Sequence, residues 1–350
     1  MSEHLLQKIF QNFESAHKGI SAPVRSTKFK SYALSNFRGG IGKSTLSFNI
    51  GYELNRSLRL LLLDTCSQRN FSQNIFGDNV HSFERTIYDA LIRETTGGSP
   101  IAPSEITIGI KPPYSSGYSG GLPSYMIPGS SELFLYPSLL YSQLASYSNI
   151  GSHGPEATKR VLTSINRIIE SSASIAQPEK VIIDTSPFFG GATHLSWIAA
   201  DALIIPARVD QHSVDALRLT FQMLSDEHSD YHRFNKIAGM MHTPKIHAIV
   251  MTHCGYSRKS QFTPDSTTQF FTNRALQLAI QYQHLFSDTV ENCFYLLDDF
   301  FSSGRISGTQ RIPIANLKAG DKYPVDGRRL EVNPSVERYK KELRWLTDAL

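Results

Sequence analysis

Cysteine is scarce. The three in this 350-residue chain, Cys66, Cys254 and Cys293, stand far apart with no C-x-x-C pair, so neither a disulfide framework nor a cysteine-built zinc site is indicated, and a reducing compartment fits best. No stretch approaches the roughly 18 consecutive apolar residues of a membrane span. The N-terminus, with acidic Glu3 among mixed polar and apolar residues, lacks the basic start and long apolar run of a secretory leader. A cytoplasmic location is the expectation. Net charge is only +4, which permits contact with nucleic acid without demanding it. The 12 histidines, among them His228, His232, His242 and His247, show no ligand spacing and read as surface or loop residues. What is present in quantity is apolar content, 40% of the chain, enough for a substantial core in one large α/β domain or two modest ones.

The stretch around which the chain is organised is Asn36-Phe37-Arg38-Gly39-Gly40-Ile41-Gly42-Lys43-Ser44-Thr45. It follows apolar Tyr32-Ala33-Leu34 and precedes the amphipathic run 46–54, which is a strand, a glycine-rich loop and a helix in series. In that context backbone N–H groups freed of side-chain bulk bind phosphate oxygens, helped by the positive end of the helix. Lys43 would reach the outer phosphates, and the Ser44 hydroxyl would ligate Mg²⁺. The ordinary pattern G-x-x-x-x-G-K-[ST] fails by one residue, because Phe37 stands where its first glycine belongs.

The rest of the chain alternates strands and helices. Residues 4–17 place Leu5, Leu6, Ile9, Phe10 and Phe13 at helical spacing, an extension that either packs on the domain or docks a partner, and 18–30 read as a linker. The run 58–64 suits a buried parallel strand and exits through Asp64-Thr65-Cys66-Ser67-Gln68-Arg69-Asn70. A short helix follows at 86–92, then a Gly/Ser/Pro/Tyr-rich stretch, 94–124, expected to be a flexible loop carrying Tyr114 and Tyr118. Order returns with a strand near 126–130 and helices at 139–145 and 156–173. Lys180-Val181-Ile182-Ile183-Asp184 is a second strong signal, a hydrophobic strand ending in the carboxylate that would hold a magnesium-bound water opposite the loop. Further strands are expected at 202–206, 247–253 and 294–297, and further helices at 213–217 and 278–285. The basic stretch 302–330 reads as a solvated surface or a phosphate-backbone contact, and the terminal helix, with Val336, Tyr339, Leu343 and Leu346 on one stripe, as a core helix or a membrane-facing one.

Arg38-Gly39-Gly40-Ile41-Gly42-Lys43-Ser44 resembles the deviant phosphate loop of the ParA/MinD family of ATPases, in which a basic residue precedes two glycines. Asp64, Gln68 and Asn70 align with that family's D-x-D-P-Q-x-N motif, with Cys66 and Ser67 in place of the second aspartate and the proline. The resemblance implies a P-loop NTPase, an α/β fold with a doubly wound, mostly parallel sheet flanked by helices, here residues 31–350 behind an N-terminal helical extension at 1–30. It implies ATP and Mg²⁺ as ligands, held by Gly39, Gly40, Ile41, Gly42, Lys43, Ser44 and Thr45, with Ser44, Asp64 and Asp184 toward the metal. Thr252 falls where a polar adenine contact usually sits, and reads equally as a plain strand end; Arg258 lies a little beyond. Arg38, Lys43, Asp64, Cys66 and Asp184 occupy the positions that carry the family's chemistry. Arg38 would cross to the partner subunit's nucleotide in an ATP-bound homodimer, or stay within its own subunit. A cognate activator protein, non-specific DNA and association with the nucleoid are the implied partners and setting, with no membrane. Cys66 replaces the group that positions the attacking water, so hydrolysis is expected to be slow. Two readings stay open, a slow ATPase switch in DNA partition or positioning and a non-hydrolysing nucleotide-gated adaptor. An iron–sulfur carrier would need paired cysteines, which are absent.

Overall fold

The computed structural model describes residues 2–20, 27–115, 117–118, 120–148, 150–257 and 262–350; Arg258 lies outside them. Eight strands form one sheet: β1 (Ser31–Leu34), β2 (Leu60–Asp64), β3 (Ile108–Gly109), β4 (Tyr125–Ile127), β5 (Lys180–Asp184), β6 (Ala202–Arg208), β7 (Lys245–Cys254) and β8 (Phe294–Asp298). Their spatial order is β3-β4-β2-β5-β1-β6-β7-β8. Every pairing is parallel except that of the edge strand β3 with β4. A separate antiparallel ribbon is formed by β9 (Lys322–Val325) and β10 (Arg328–Glu331).

The central strands are wholly buried because helices cover both faces, which is why Leu60-Leu61-Leu62-Leu63 needs no polar alternation. Order reverses on either side of β1, and in open α/β sheets ligands bind beyond the carboxyl ends of the strands at such a point. Register brings the chemistry together there: Leu34 pairs with Asp184 across β1 and β5, and Asp64 with Asp184 across β2 and β5. The strand that leads into the glycine turn therefore sits beside the two strands that end in carboxylates.

Helix α1 (Ser2–His17) buries Ile9 and Phe13 against the domain, and its His17 Nε2 meets Glu342 Oε1 at 3.1 Å. It is thus seated on the terminal helix (Val336–Asp348), whose Val336, Tyr339, Leu343 and Leu346 are themselves core. The 94–124 stretch departs from a loose loop: it contains a short helix (Pro103–Ile106) and β3, with Ile106, Ile110 and Tyr118 buried. Tyr118 packs between Phe48 and Tyr52 and donates its hydroxyl to Phe48 O at 2.6 Å. Aromatic bulk recruited by the helix α2 (Lys43–Asn55) overrides the loop-forming composition around it. The predicted helix at 156–173 is two helices, Gly154–Leu162 and Ser164–Ala176. Within 302–330 lie the helix Phe301–Gln310 and the β9–β10 ribbon.

Candidate phosphate-binding site

β1 runs into a turn that is anchored from behind. Ser35 N–H donates to Ile204 O at 3.1 Å and Asn36 Nδ2 to Pro206 O at 2.7 Å, while Asn36 Oδ1 accepts from Arg38 N–H at 2.9 Å. Gly40 and Gly42 adopt φ of 71° and 86°, left-handed conformations that side-chain-bearing residues rarely take. Gly42 then starts α2 with no side chain capping it. The first N–H groups of that helix have no intrahelical acceptor and face the turn as an anion site.

Lys43 is nearly buried and folds back over the turn, donating to Asn36 O at 3.1 Å and Arg38 O at 2.9 Å. Burial lowers its pKa, an effect that the nearby Asp184 carboxylate opposes. The Ser44 hydroxyl donates to Asp184 Oδ2 at 2.7 Å and that of Ser47 to Asp184 Oδ1 at 2.8 Å. Burial raises the Asp184 pKa, opposed by those hydroxyls and Lys43. A buried carboxylate touching a hydroxyl at the foot of an anion cradle is a hard-oxygen donor set of the kind Mg²⁺ takes, usually alongside phosphate oxygens and water. The residues present fit that ion.

Asp64, expected beside Asp184 at the metal, is engaged elsewhere. Oδ1 accepts from Cys66 N–H at 3.0 Å, and Oδ2 from Ser72 N–H at 2.8 Å and Ser72 Oγ at 2.7 Å. Full burial and then the charge of Asp184 raise its pKa. Its two oxygens tie the start of the helix α3 (Asn70–Phe76) to the end of β2, so it supports the site from behind. Cys66 is 3% exposed, and its thiol is pushed up to about 11 by burial and by Asp64. It is a neutral, weakly accepting group at neutral pH.

Arg38 bonds within its own chain. Its guanidinium pairs with Asp210 and donates to Ser213 Oγ at 2.9 Å. Asp210 also caps the helix Gln211–Ser225 by accepting from Ser213 N–H at 3.0 Å. Sequence reading passed over Asp210, although its spacing to Ser213 is that of a helix N-cap. Ser47 and Ser72 were likewise missed, since nothing local in the sequence marks them as carboxylate partners.

Thr252, two residues before the end of β7, lines a cavity of about 640 Å³ that runs from Gly40 and Thr45 to Asp299 and Phe301. His253 and Phe301, both on this cavity, hold left-handed φ of 59° and 43°. A second cavity, about 370 Å³, lies on the other side of the turn and is lined by Lys43, Ser44, Cys66, Gln68 and Asn70 among others. The glycine turn thus borders both recesses.

A protein-family model described as an AAA domain matches residues 29–110. An aspartate-to-alanine variant of Cyanothece McdA in complex with ATP superposes with a TM-score of 0.60, at 15% identity, over 93% of this chain and 97% of that one. The chain has the ParA-like P-loop fold. A putative plasmid partition protein from Borrelia burgdorferi B31 bound to AMPPNP matches that fold with a TM-score of 0.53 at 14% identity, over 92% of this chain and all (100%) of that one. A protein from Corynebacterium diphtheriae gives a TM-score of 0.57 at 15% identity, covering 81% and 97% respectively. No curated protein matches the chain in sequence. Among the described residues no helix is long and apolar enough to cross a membrane.

Proposed function

We propose that this ParA-like chain binds Mg·ATP and acts as a nucleotide-dependent dimerisation switch in DNA partition or positioning, with slow hydrolysis. The observation that carries the reading is the Ser44–Asp184 hydrogen bond of 2.7 Å beneath the turn that Lys43 closes. Gly39 to Thr45 would cradle the phosphates, and Lys43 would exchange the carbonyls of Asn36 and Arg38 for phosphate oxygens, a stronger charge-assisted pairing. Ser44 and Asp184 would hold Mg²⁺, which when bound neutralises phosphate charge. The recess beside Thr252 has the size for a base and ribose. Structural likeness to proteins solved with ATP or AMPPNP supports the nucleotide class. Arg38 would leave Asp210 for the partner subunit's nucleotide in the homodimer. A cognate activator and non-specific DNA would complete the cycle in the cytoplasm.

Calorimetry with Mg·ATP tests the binding reading: heat from the unaltered chain and none from Lys43→Ala is the expected result. No heat from either overturns it. A second reading, a nucleotide-gated adaptor without turnover, is favoured by the neutral Cys66 thiol; ATP retained for hours without ADP formation would select it.

A further inference from the structure

If the glycine turn holds a triphosphate, its terminal phosphate reaches the recess shared by Lys43, Ser44, Cys66, Gln68 and Asn70. None of the residues lining that recess is an aspartate or a glutamate. The two carboxylates behind it are turned to other partners, Asp64 to Cys66 and Ser72, Asp184 to Ser44, Ser47 and the proposed Mg²⁺. Water in the recess would therefore be oriented by something other than a carboxylate.

Three carboxamides line it, Gln68, Asn70 and Asn74, and Asn74 is turned away toward the turn, its Nδ2 donating to Ser44 O at 3.5 Å. Asn70 Nδ2 donates to Gln68 Oε1 at 3.3 Å, and both side chains are exposed to the recess. The turn that presents them is set by Arg69, left-handed at φ 56°, whose N–H bonds Cys66 O at 3.1 Å. Among the described residues Gln68 Nε2 and Asn70 Oδ1 have no partner, so the pair offers a free amide NH2 as donor and a free carbonyl oxygen as acceptor. Exchanging oxygen and nitrogen in both amides again leaves one free NH2 and one free carbonyl oxygen. A water oriented for attack needs both, an acceptor for one of its protons and a donor to its second lone pair.

We propose that Gln68 and Asn70 together orient the attacking water of nucleotide hydrolysis, in place of a carboxylate at position 66; the inference rests on the nucleotide reading above. A glutamine plays this part in the Ras and Gα GTPases. The water oxygen bonds to the γ-phosphorus while the bond from that phosphorus to the β–γ bridging oxygen breaks, the electron pair leaving with ADP. A carboxamide takes no proton, so one water proton passes to a γ-phosphate oxygen and the other stays on the phosphate, giving ADP and inorganic phosphate.

The test measures Mg·ATP affinity by calorimetry and single-turnover hydrolysis for the full chain, Gln68→Ala, Asn70→Ala, and Gln68→Ala combined with Cys66→Asp. Both single variants are expected to hydrolyse roughly 10–10²-fold more slowly while affinity moves by less than about threefold, under 0.7 kcal/mol. The combined variant should recover the rate, because a carboxylate then supplies the acceptor. Normal affinity with an unchanged rate in both alanine variants overturns the proposal alone, as does a wild type that binds without turnover. Failure of the unaltered chain to bind nucleotide overturns the nucleotide reading and this proposal with it.

Discussion

Arg38 is held by Asp210, 172 positions later in the same chain. Partial burial works to raise the Asp210 pKa and is outweighed by the Ser213 N–H and the Arg38 guanidinium, which hold it below the usual carboxylate range. The residue proposed to reach across a dimer is thus stowed in the single subunit, and crossing would require this pair to open.

Asp210→Asn keeps a helix cap while weakening the hold on Arg38. It should tighten ATP-dependent dimerisation by up to about fivefold, the worth of a part-exposed ion pair near 1 kcal/mol. Arg38→Ala should abolish the dimer. Light scattering on eluting protein, with and without Mg·ATP, reads both.

Asp184→Asn removes a buried charge and keeps an oxygen for one of the Ser44 and Ser47 hydroxyls, while the other hydroxyl can turn to accept from the new amide N–H. Nucleotide-free protein should gain about 1–2 kcal/mol, seen as a higher Tm, while its response to Mg²⁺ in ATP binding is lost. A lower Tm would mean that the carboxylate is stabilising where it stands.

A Cys66→Asp variant trades in the opposite direction. A third carboxylate beside Asp64 and Asp184 should cost about 1–3 kcal/mol of stability in denaturant melts without nucleotide. Hydrolysis should rise by roughly 10²-fold. Cys66→Ser, which adds no charge, should leave both near their starting values.

His194 sets an acid limit. It is buried among Tyr141, Phe189 and Tyr231, its Nε2 has no partner among the described residues, and burial lowers its pKa from 6.5 to about 3. Above pH 6.5 both folded and unfolded states carry it neutral, and its contribution is fully present. As pH falls from 6.5 toward 3 only the unfolded state takes up the proton, so stability drops by roughly 1.4 kcal/mol per pH unit in that window. His194→Phe should flatten this limb in melts at pH 7 and 4.5.

Glu342 joins the two ends of the chain. It accepts from His17 Nε2 at 3.1 Å, Tyr256 OH at 3.1 Å and Asp298 N–H at 2.8 Å with no exposed surface of its own. Glu342→Ala strands these donors and should cost about 3–5 kcal/mol. Glu342→Gln should cost less, and a truncation of α1 should reproduce part of the loss in thermal melts.

Much of the fold is legible without coordinates. Two hydrophobic runs ending in aspartate, 60–64 and 180–184, announce buried parallel strands because nothing but coverage on both faces tolerates them. The spacing Arg38-Gly39-Gly40-Ile41-Gly42-Lys43-Ser44 announces the cradle because few other turns need those glycines before a lysine. Tyr118 was hidden, since a tyrosine amid glycine and serine gives no sign that it will find Phe48. The partners of Asp64 were hidden for a related reason: a motif tells which carboxylate is present, and its neighbours in space tell which way its oxygens are turned.

By itself, then, the order of residues determined the strand–turn–helix cradle and the strand ends that carry Asp64 and Asp184, since these follow from backbone sterics and apolar runs within short segments. Tertiary structure alone decided that Arg38 rests on Asp210, that Asp64 is tied to Ser72, and that the Cys66 recess holds carboxamides and no carboxylate. Arg38 and Asp210 lie 172 positions apart, and even Asp64 and Ser72, 8 apart, meet only through the path of the chain between strand and helix; hydrogen bonds and charge act through space, where sequence spacing carries little information.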